Sequence, residues 1–187
     1  CPSPVKMKAE ELGLSIITTS SIQKDMLNKE IIKNLNAEIY VVVAFGQLLP
    51  LDILDHPPYG SWNSHGSLLP RWRGAGPIQW SILSGDKQTG IGIMLMEEGL
   101  DTGPLLIEER TQIGNTENAH NLSCRLSIIS ANLVVKAISM LSNHRSDINN
   151  NFKELKLKSQ SETGLKLTYA RMINKRDNQI VWENSTI

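Results

Sequence analysis

Ile39-Tyr40-Val41-Val42-Val43-Ala44 is the run on which the architecture turns. It is apolar without alternation and rich in β-branched residues. Such a run reads as a strand buried on both faces, as in a parallel sheet. Before it, Leu27, Ile31 and Leu35 recur at helical spacing, and Ser20 with Gln23 resembles a capping box. Further upstream, Leu14 to Thr19 reads as a strand, and Val5 to Leu12 as a helix closed by Gly13. After it, Phe45 to Gly60 reads as loop and short helix, broken by Pro50, Pro57 and Pro58. Ser61 to His65 reads as a strand. Pro77 fits the first turn of a helix that ends before Gly85. Ile91 to Met96 and Leu105 to Ile113 read as strands. Leu122, Leu126, Ile129, Leu133, Ala137 and Met140 mark one face of a long helix. Early alternation of helix and strand argues for an α/β sheet. Functional loops then lie beyond strand ends: after Ala44, around His65 and after Met96.

The whole chain has 187 residues, about one and a quarter typical domains. Nineteen basic and nineteen acidic residues cancel, and 40% of residues are apolar. This composition excludes a disordered tail, a collagen-like repeat and a disulfide scaffold. No continuous apolar run approaches the roughly 18 residues of a bilayer span, so no transmembrane helix is expected. The charge divides unevenly, net −3 over residues 1–150 and net +3 over residues 151–187. A mildly basic tail is compatible with a polyanion but does not require one. Cys1 and Cys124 form no CxxC pair, and Cys124 is expected as a helix-buried thiol in a reducing compartment. The chain begins Cys-Pro-Ser-Pro-Val-Lys and runs straight into a helical pattern. That reads as a start inside a longer protein, not as a mature lipoprotein. Asn143 to Asn151 is polar and is the candidate domain boundary, and Lys166 to Trp182 is too short for a core of its own.

The densest cluster of chemical groups is Trp62-Asn-Ser-His65-Gly-Ser-Leu-Leu-Pro70-Arg-Trp-Arg-Gly74. In a strand, Asn63 and His65 point to one face. An amide and an imidazole there can both donate to one oxygen, which suits acyl-type chemistry. The same residues also fit a turn asparagine and a satisfied buried histidine. Gly99-Leu-Asp101-Thr-Gly103 offers a carboxylate, either as a turn residue or as a partner for His65. No spacing rule joins two residues so far apart. Asp-Thr-Gly is also the aspartic-protease triplet, but it occurs once here and lies among helices. Leu68-Leu69-Pro70 fits either strand–helix packing or a semi-exposed wall for a flat heterocycle. Arg71 and Arg73 fit an anionic substrate or plain solvent. Gly74-Ala-Gly-Pro77 lacks phosphate-loop spacing. His56, His65, His120 and His144 show no metal-ligand pattern.

The run from Asn63 to Gln79 resembles the central motif of methionyl-tRNA formyltransferases, within the 10-formyltetrahydrofolate-dependent formyltransferases. Pro2–Lys6, Val41–Gly46, Leu49-Pro50, Gly85-Asp86, Thr89-Gly90 and Gly99–Gly103 match in order, as do Leu167–Ala170, Lys175 and Ile180–Trp182. The resemblance implies an α/β, Rossmann-like fold with a mostly parallel central sheet flanked by helices, truncated at its N-terminus. It implies a catalytic domain over 1–150, without its first strands, and a linker with the start of a missing C-terminal domain over 151–187. It implies that Asn63 and His65 polarise the formyl carbonyl, that Asp101 orients His65, and that Ser67, Leu68, Leu69 and Pro70 line the folate site. The implied co-substrate is 10-formyltetrahydrofolate, with no metal. The implied acceptor is the α-amine of initiator methionyl-tRNA. Glycinamide ribonucleotide and sugar-nucleotide formyltransferases share the Asn-x-His and the downstream Asp. A small-amine acceptor and an inactive folate-binding fragment are therefore the alternatives. The expected setting is a monomer without membrane attachment, in a bacterial-type cytoplasm or an organelle. Phe45 stands where the family usually has Tyr.

Overall fold

The computed structural model describes residues 2–143, 152 and 155–178. Helix α1 spans Pro4–Glu11, capped by the Ser3 hydroxyl and followed by Gly13 at φ +67°, where a left-handed turn favours glycine. Helix α2 spans Met26–Asn34. Its cap is Asp25, which accepts from the Asn28 N–H, and not the expected Ser20–Gln23 box. Asp25 is itself held by the Thr19 hydroxyl, so residues 20–24 turn before the helix begins. The strand expected over Leu14–Thr19 does not form, because among the described residues no neighbour offers that stretch a ladder.

Strand β1 (Tyr40–Val43) is followed by the short helix α3 (Leu51–Leu54) and by β2 (Ser61–His65). Then come β3 (Arg73–Gly74), α4 (Pro77–Leu83), β4 (Gln88–Leu95), β5 (Leu105–Gln112) and α5 (Ala119–Asn143). The main sheet runs β1-β2-β4-β5. Its β1–β2 pairing is parallel, but β2–β4 and β4–β5 are antiparallel. The chain is α/β, as expected; the mostly parallel arrangement is corrected to a mixed one. The physical reason is local. Residues 96–104 turn β4 directly into β5, and such a short connection joins antiparallel neighbours.

Two-sided burial also moves. Strand β1 leaves Val41 and Val43 exposed, Val43 at 54%. The strand sunk in the core is β4, buried from Thr89 through Met94. Ile91 and Ile93 face a core made with Trp62, Leu122, Leu126, Leu133, Ala137 and Leu141. Met94 joins Leu69 and Leu105 in a second cluster. Helix α5 supplies the first core through Leu122, Leu126, Ser130, Leu133, Ala137 and Leu141. It is long and apolar enough to cross a membrane by length and composition, against the expectation from continuous runs. Here it packs on β4 and β5 as a core helix. Cys124, expected to be buried on it, is exposed.

The segment expected as a linker docks on this frame. Lys158 bridges Leu105 through two backbone hydrogen bonds of 2.8 Å. Strand β6 (Tyr169–Ala170) pairs in parallel with β3. The proposed boundary falls outside the described residues except at Asn143, and so does the Ile180–Trp182 stretch.

Candidate functional site

Strand alternation puts Asn63 and His65 on one face of β2, and Gly92 opposite His65 adds no side chain to crowd the ring. The turn after β4 then folds back and brings Asp101 to them. The Asp101 Oδ2 atom lies 3.6 Å from His65 Nδ1, and the Asn63 amide donates to Oδ1 at 3.3 Å. A backbone N–H from β3, that of Gly74, donates to Oδ2 at 2.8 Å. The trio therefore gathers at one place, across 38 residues of sequence. Side-chain exposure is 6% at His65 and 12% at Asp101, so water screens the pair weakly.

The histidine tautomer follows from its other neighbour. His65 Nε2 lies 2.9 Å from the Trp72 carbonyl, which only accepts, so Nε2 carries a proton and donates it. That leaves Nδ1 facing the carboxylate. The Asp101 backbone is in the left-handed region at φ +51°. The turn also presses on β4: a Cβ at Gly103 would fall 1.8 Å from the Leu95 carbonyl oxygen, so only glycine fits there. An amide donor, an imidazole edge and a carboxylate at one spot can polarise a carbonyl and move a proton beside it.

The stretch expected to line a folate site behaves differently from the expectation. Leu68, Leu69 and Pro70 are buried rather than semi-exposed, with Leu69 at 0%, and Ser67 is buried beside them. The Ser67 hydroxyl is committed to the Arg71 carbonyl, and Leu69 packs against Met94 and Leu105. Leu68 alone of the four lines an open cavity of about 220 Å³, with Trp72, Asp86, Thr89, Arg110 and Leu165. That cavity does not include Asn63, His65 or Asp101. The fit to a folate is thus partial. Leu68 can offer an apolar contact, while Ser67, Leu69 and Pro70 can offer only backbone.

The two arginines are not free for a substrate. Arg71 forks onto Asp86 at 2.5 and 2.7 Å. Burial opposes the Asp86 charge, but the Arg71 fork and the Trp72 indole N–H outweigh it and hold the carboxyl below its ordinary range. Arg73 forks onto Gln160 at 2.6 and 3.0 Å. Motif reasoning missed Gln160 and the roles of Thr168 and of the Trp72 and Gly74 backbone. Gln160 lies outside every matching stretch, while the other three lie inside matching stretches but act through hydrogen bonds that only the folded chain creates.

Residues 2–138 match the family described as formyl transferase. A methionyl-tRNA formyltransferase of Synechococcus sp. (strain WH7803) is 52% identical over 187 residues, all of this chain and 54% of that protein. The chain spans about half the length of the curated relatives it matches. Among solved structures, the phosphoribosylglycinamide formyltransferase of Anaplasma phagocytophilum superposes with a TM-score of 0.67 at 17% identity, over 74% of this chain and 68% of that one. The sugar 3N-formyltransferase WlaRD, solved in the presence of dTDP and 5-N-formyl-THF, gives 0.56 at 18% identity, over 95% and 55%. At these identities the superpositions speak for the fold.

Proposed function

From the premise that the chain belongs to the formyl transferase family, we propose that its intact protein transfers a formyl group from 10-formyltetrahydrofolate to the α-amine of initiator methionyl-tRNA. The observation that carries the chemistry is the meeting of Asn63, His65 and Asp101. The acceptor is supported by 52% identity to a protein of that name. The folate supplies the activated formyl carbon. The amine nitrogen attacks that carbon, the carbonyl π pair moves to oxygen, and the C–N10 bond then breaks. The amine gives up one proton and N10 takes one.

The residues of this chain divide that work. Asn63 presents the amide hydrogen not used on Asp101 to the developing oxyanion. His65 Nδ1 is the ring atom left for proton transfer, because Nε2 is tied to Trp72. Asp101 holds that edge of the ring and receives or relays the proton. The backbone of Ser67–Pro70, with the Leu68 side chain, is the proposed folate contact. Holding the reactants together contributes most of the remaining barrier reduction.

The test is formyl transfer by the intact protein to charged initiator tRNA, in competition with glycinamide ribonucleotide and an amino-sugar nucleotide. Preferential labelling of the tRNA is expected. Preferential labelling of a small amine would replace the acceptor, and no transfer to any amine would overturn the reading.

A further inference from the structure

We infer that residues 159–170 form a strap that positions the candidate site, with Gln160 setting Asp101 and Thr168 setting His65. This rests on the proposed role of those two site residues. Gln160 is buried, and its amide is fully occupied. Its Nε2 donates at 2.8 Å to the Asp101 carbonyl and at 2.8 Å to the Gly103 carbonyl, while its Oε1 accepts the Arg73 fork. Two carbonyls of one tight turn are thus gripped by one side chain. The Asp101 backbone leading into the first of them sits at positive φ, a conformation that a non-glycine residue keeps only when its surroundings hold it.

Thr168 works on the other side of the ring. Its hydroxyl accepts from the Trp72 N–H at 2.9 Å, its carbonyl accepts from the Arg73 N–H at 3.0 Å, and its N–H donates to the Pro70 carbonyl at 3.3 Å. Trp72 is the residue whose carbonyl holds His65 Nε2, and Gly74, two residues on, holds Asp101. The strap is itself anchored. Lys158 bridges Leu105, Ser159 caps the turn at Gln160–Thr163 in a capping box, and β6 pairs with β3. The loops that touch the ring and the carboxylate are therefore stitched to one segment. Gln160 acts on the Asp101 turn and Thr168 acts on His65 through Trp72, so both are positioning residues.

The experiment measures kcat and KM separately in the intact protein, with Asp101→Asn as the reference. Gln160→Glu keeps the acceptor for Arg73 and the side-chain volume but removes both donors to the turn. We expect kcat to fall about 30-fold with KM within about threefold, on the scale of a lost buried hydrogen bond. Thr168→Val is close in shape and lacks the oxygen; we expect a fall of about 10-fold in kcat, and recovery of most of it in Thr168→Ser. Retention of kcat within twofold in both Gln160→Glu and Thr168→Val, while Asp101→Asn is inactive, overturns the strap and leaves the site reading standing. Full activity in Asp101→Asn overturns the site reading and the strap with it. If Gln160→Glu does not fold, the Thr168 pair decides: loss in the Val variant without recovery in Ser makes Thr168 merely structural and overturns the inference.

Discussion

The turn that carries Asp101 and the layer formed by α2 and β1 are built on opposite plans. Around Asp101, its carboxylate, its own carbonyl and the Gly103 carbonyl all have named partners drawn from three separate stretches of chain. In the α2–β1 layer the apolar stripe read from the sequence is in solvent, with Leu27 at 71% exposure and Leu35, Val41 and Val43 also exposed. The buried residue of α2 is instead Lys29, whose ammonium reaches Asp52 at 3.4 Å while its stem lies inward. The contrast separates two requirements. Forming a helix or strand needs only a cap, a period and suitable propensity. Burying it needs a complementary surface that closes on it: Val41 borders an apolar space shared with Val134, Ile138 and Leu141 of α5 yet stays 40% exposed, and Leu27 and Leu35 of α2 stay in solvent.

The contrast can be broken most directly at the site. Asp101→Asn is expected to lower kcat/KM by about 10³-fold with little change in thermal stability, since it removes charge from a held carboxylate without removing volume. Transfer kinetics beside a melting curve check this, and activity within tenfold of the parent would erase the difference between the two regions. Next in size is a matched pair. Leu122→Ala, in the core, is expected to cost about 3 kcal/mol, and Leu27→Ala, on α2, under about 0.5 kcal/mol. Urea unfolding of the two variants measures them, and equal losses would mean that α2 is covered after all.

A smaller effect is expected at Arg71–Asp86. Arg71→Met should cost about 1 kcal/mol at neutral pH, discounted for the partial exposure of the arginine. Because the folded Asp86 carboxyl is held below 3.8, its contribution is complete above that value and is lost as the pH falls through the folded value. The stability gap between parent and variant should therefore close in acid, and a gap that widens there refutes the pairing. The smallest effect is at Cys124. Native protein should react with a thiol reagent at this exposed residue with no measurable loss of stability. Protection until unfolding would restore the buried thiol.

Helix α5 was legible from its period and helix α4 from Pro77 in its first turn. Placing Asn63 and His65 together needed only strand alternation. The core role of β4 was hidden, since Gln88-Thr-Gly-Ile-Gly-Ile-Met-Leu95 is less β-branched than the β1 run that reads as more buried. Its glycines are the reason it fits: a Cβ on Gly90 would fall 2.2 Å from the Glu109 carbonyl oxygen. Leu69 is buried, and not semi-exposed, for a related reason. An apolar residue in a loop buries when a second cluster is available, and Met94 with Leu105 supplies one.

Residue order alone settled the kinds of most elements, though not of the Leu14–Thr19 stretch, and which side chains share a strand face, because those depend on contacts a few positions apart. Folding decided which strand lies at the centre, that Asp101 meets His65, and that Gln160 and Thr168 hold them. Those outcomes come from hydrogen bonds between stretches up to 96 positions apart, whose geometry no local spacing encodes.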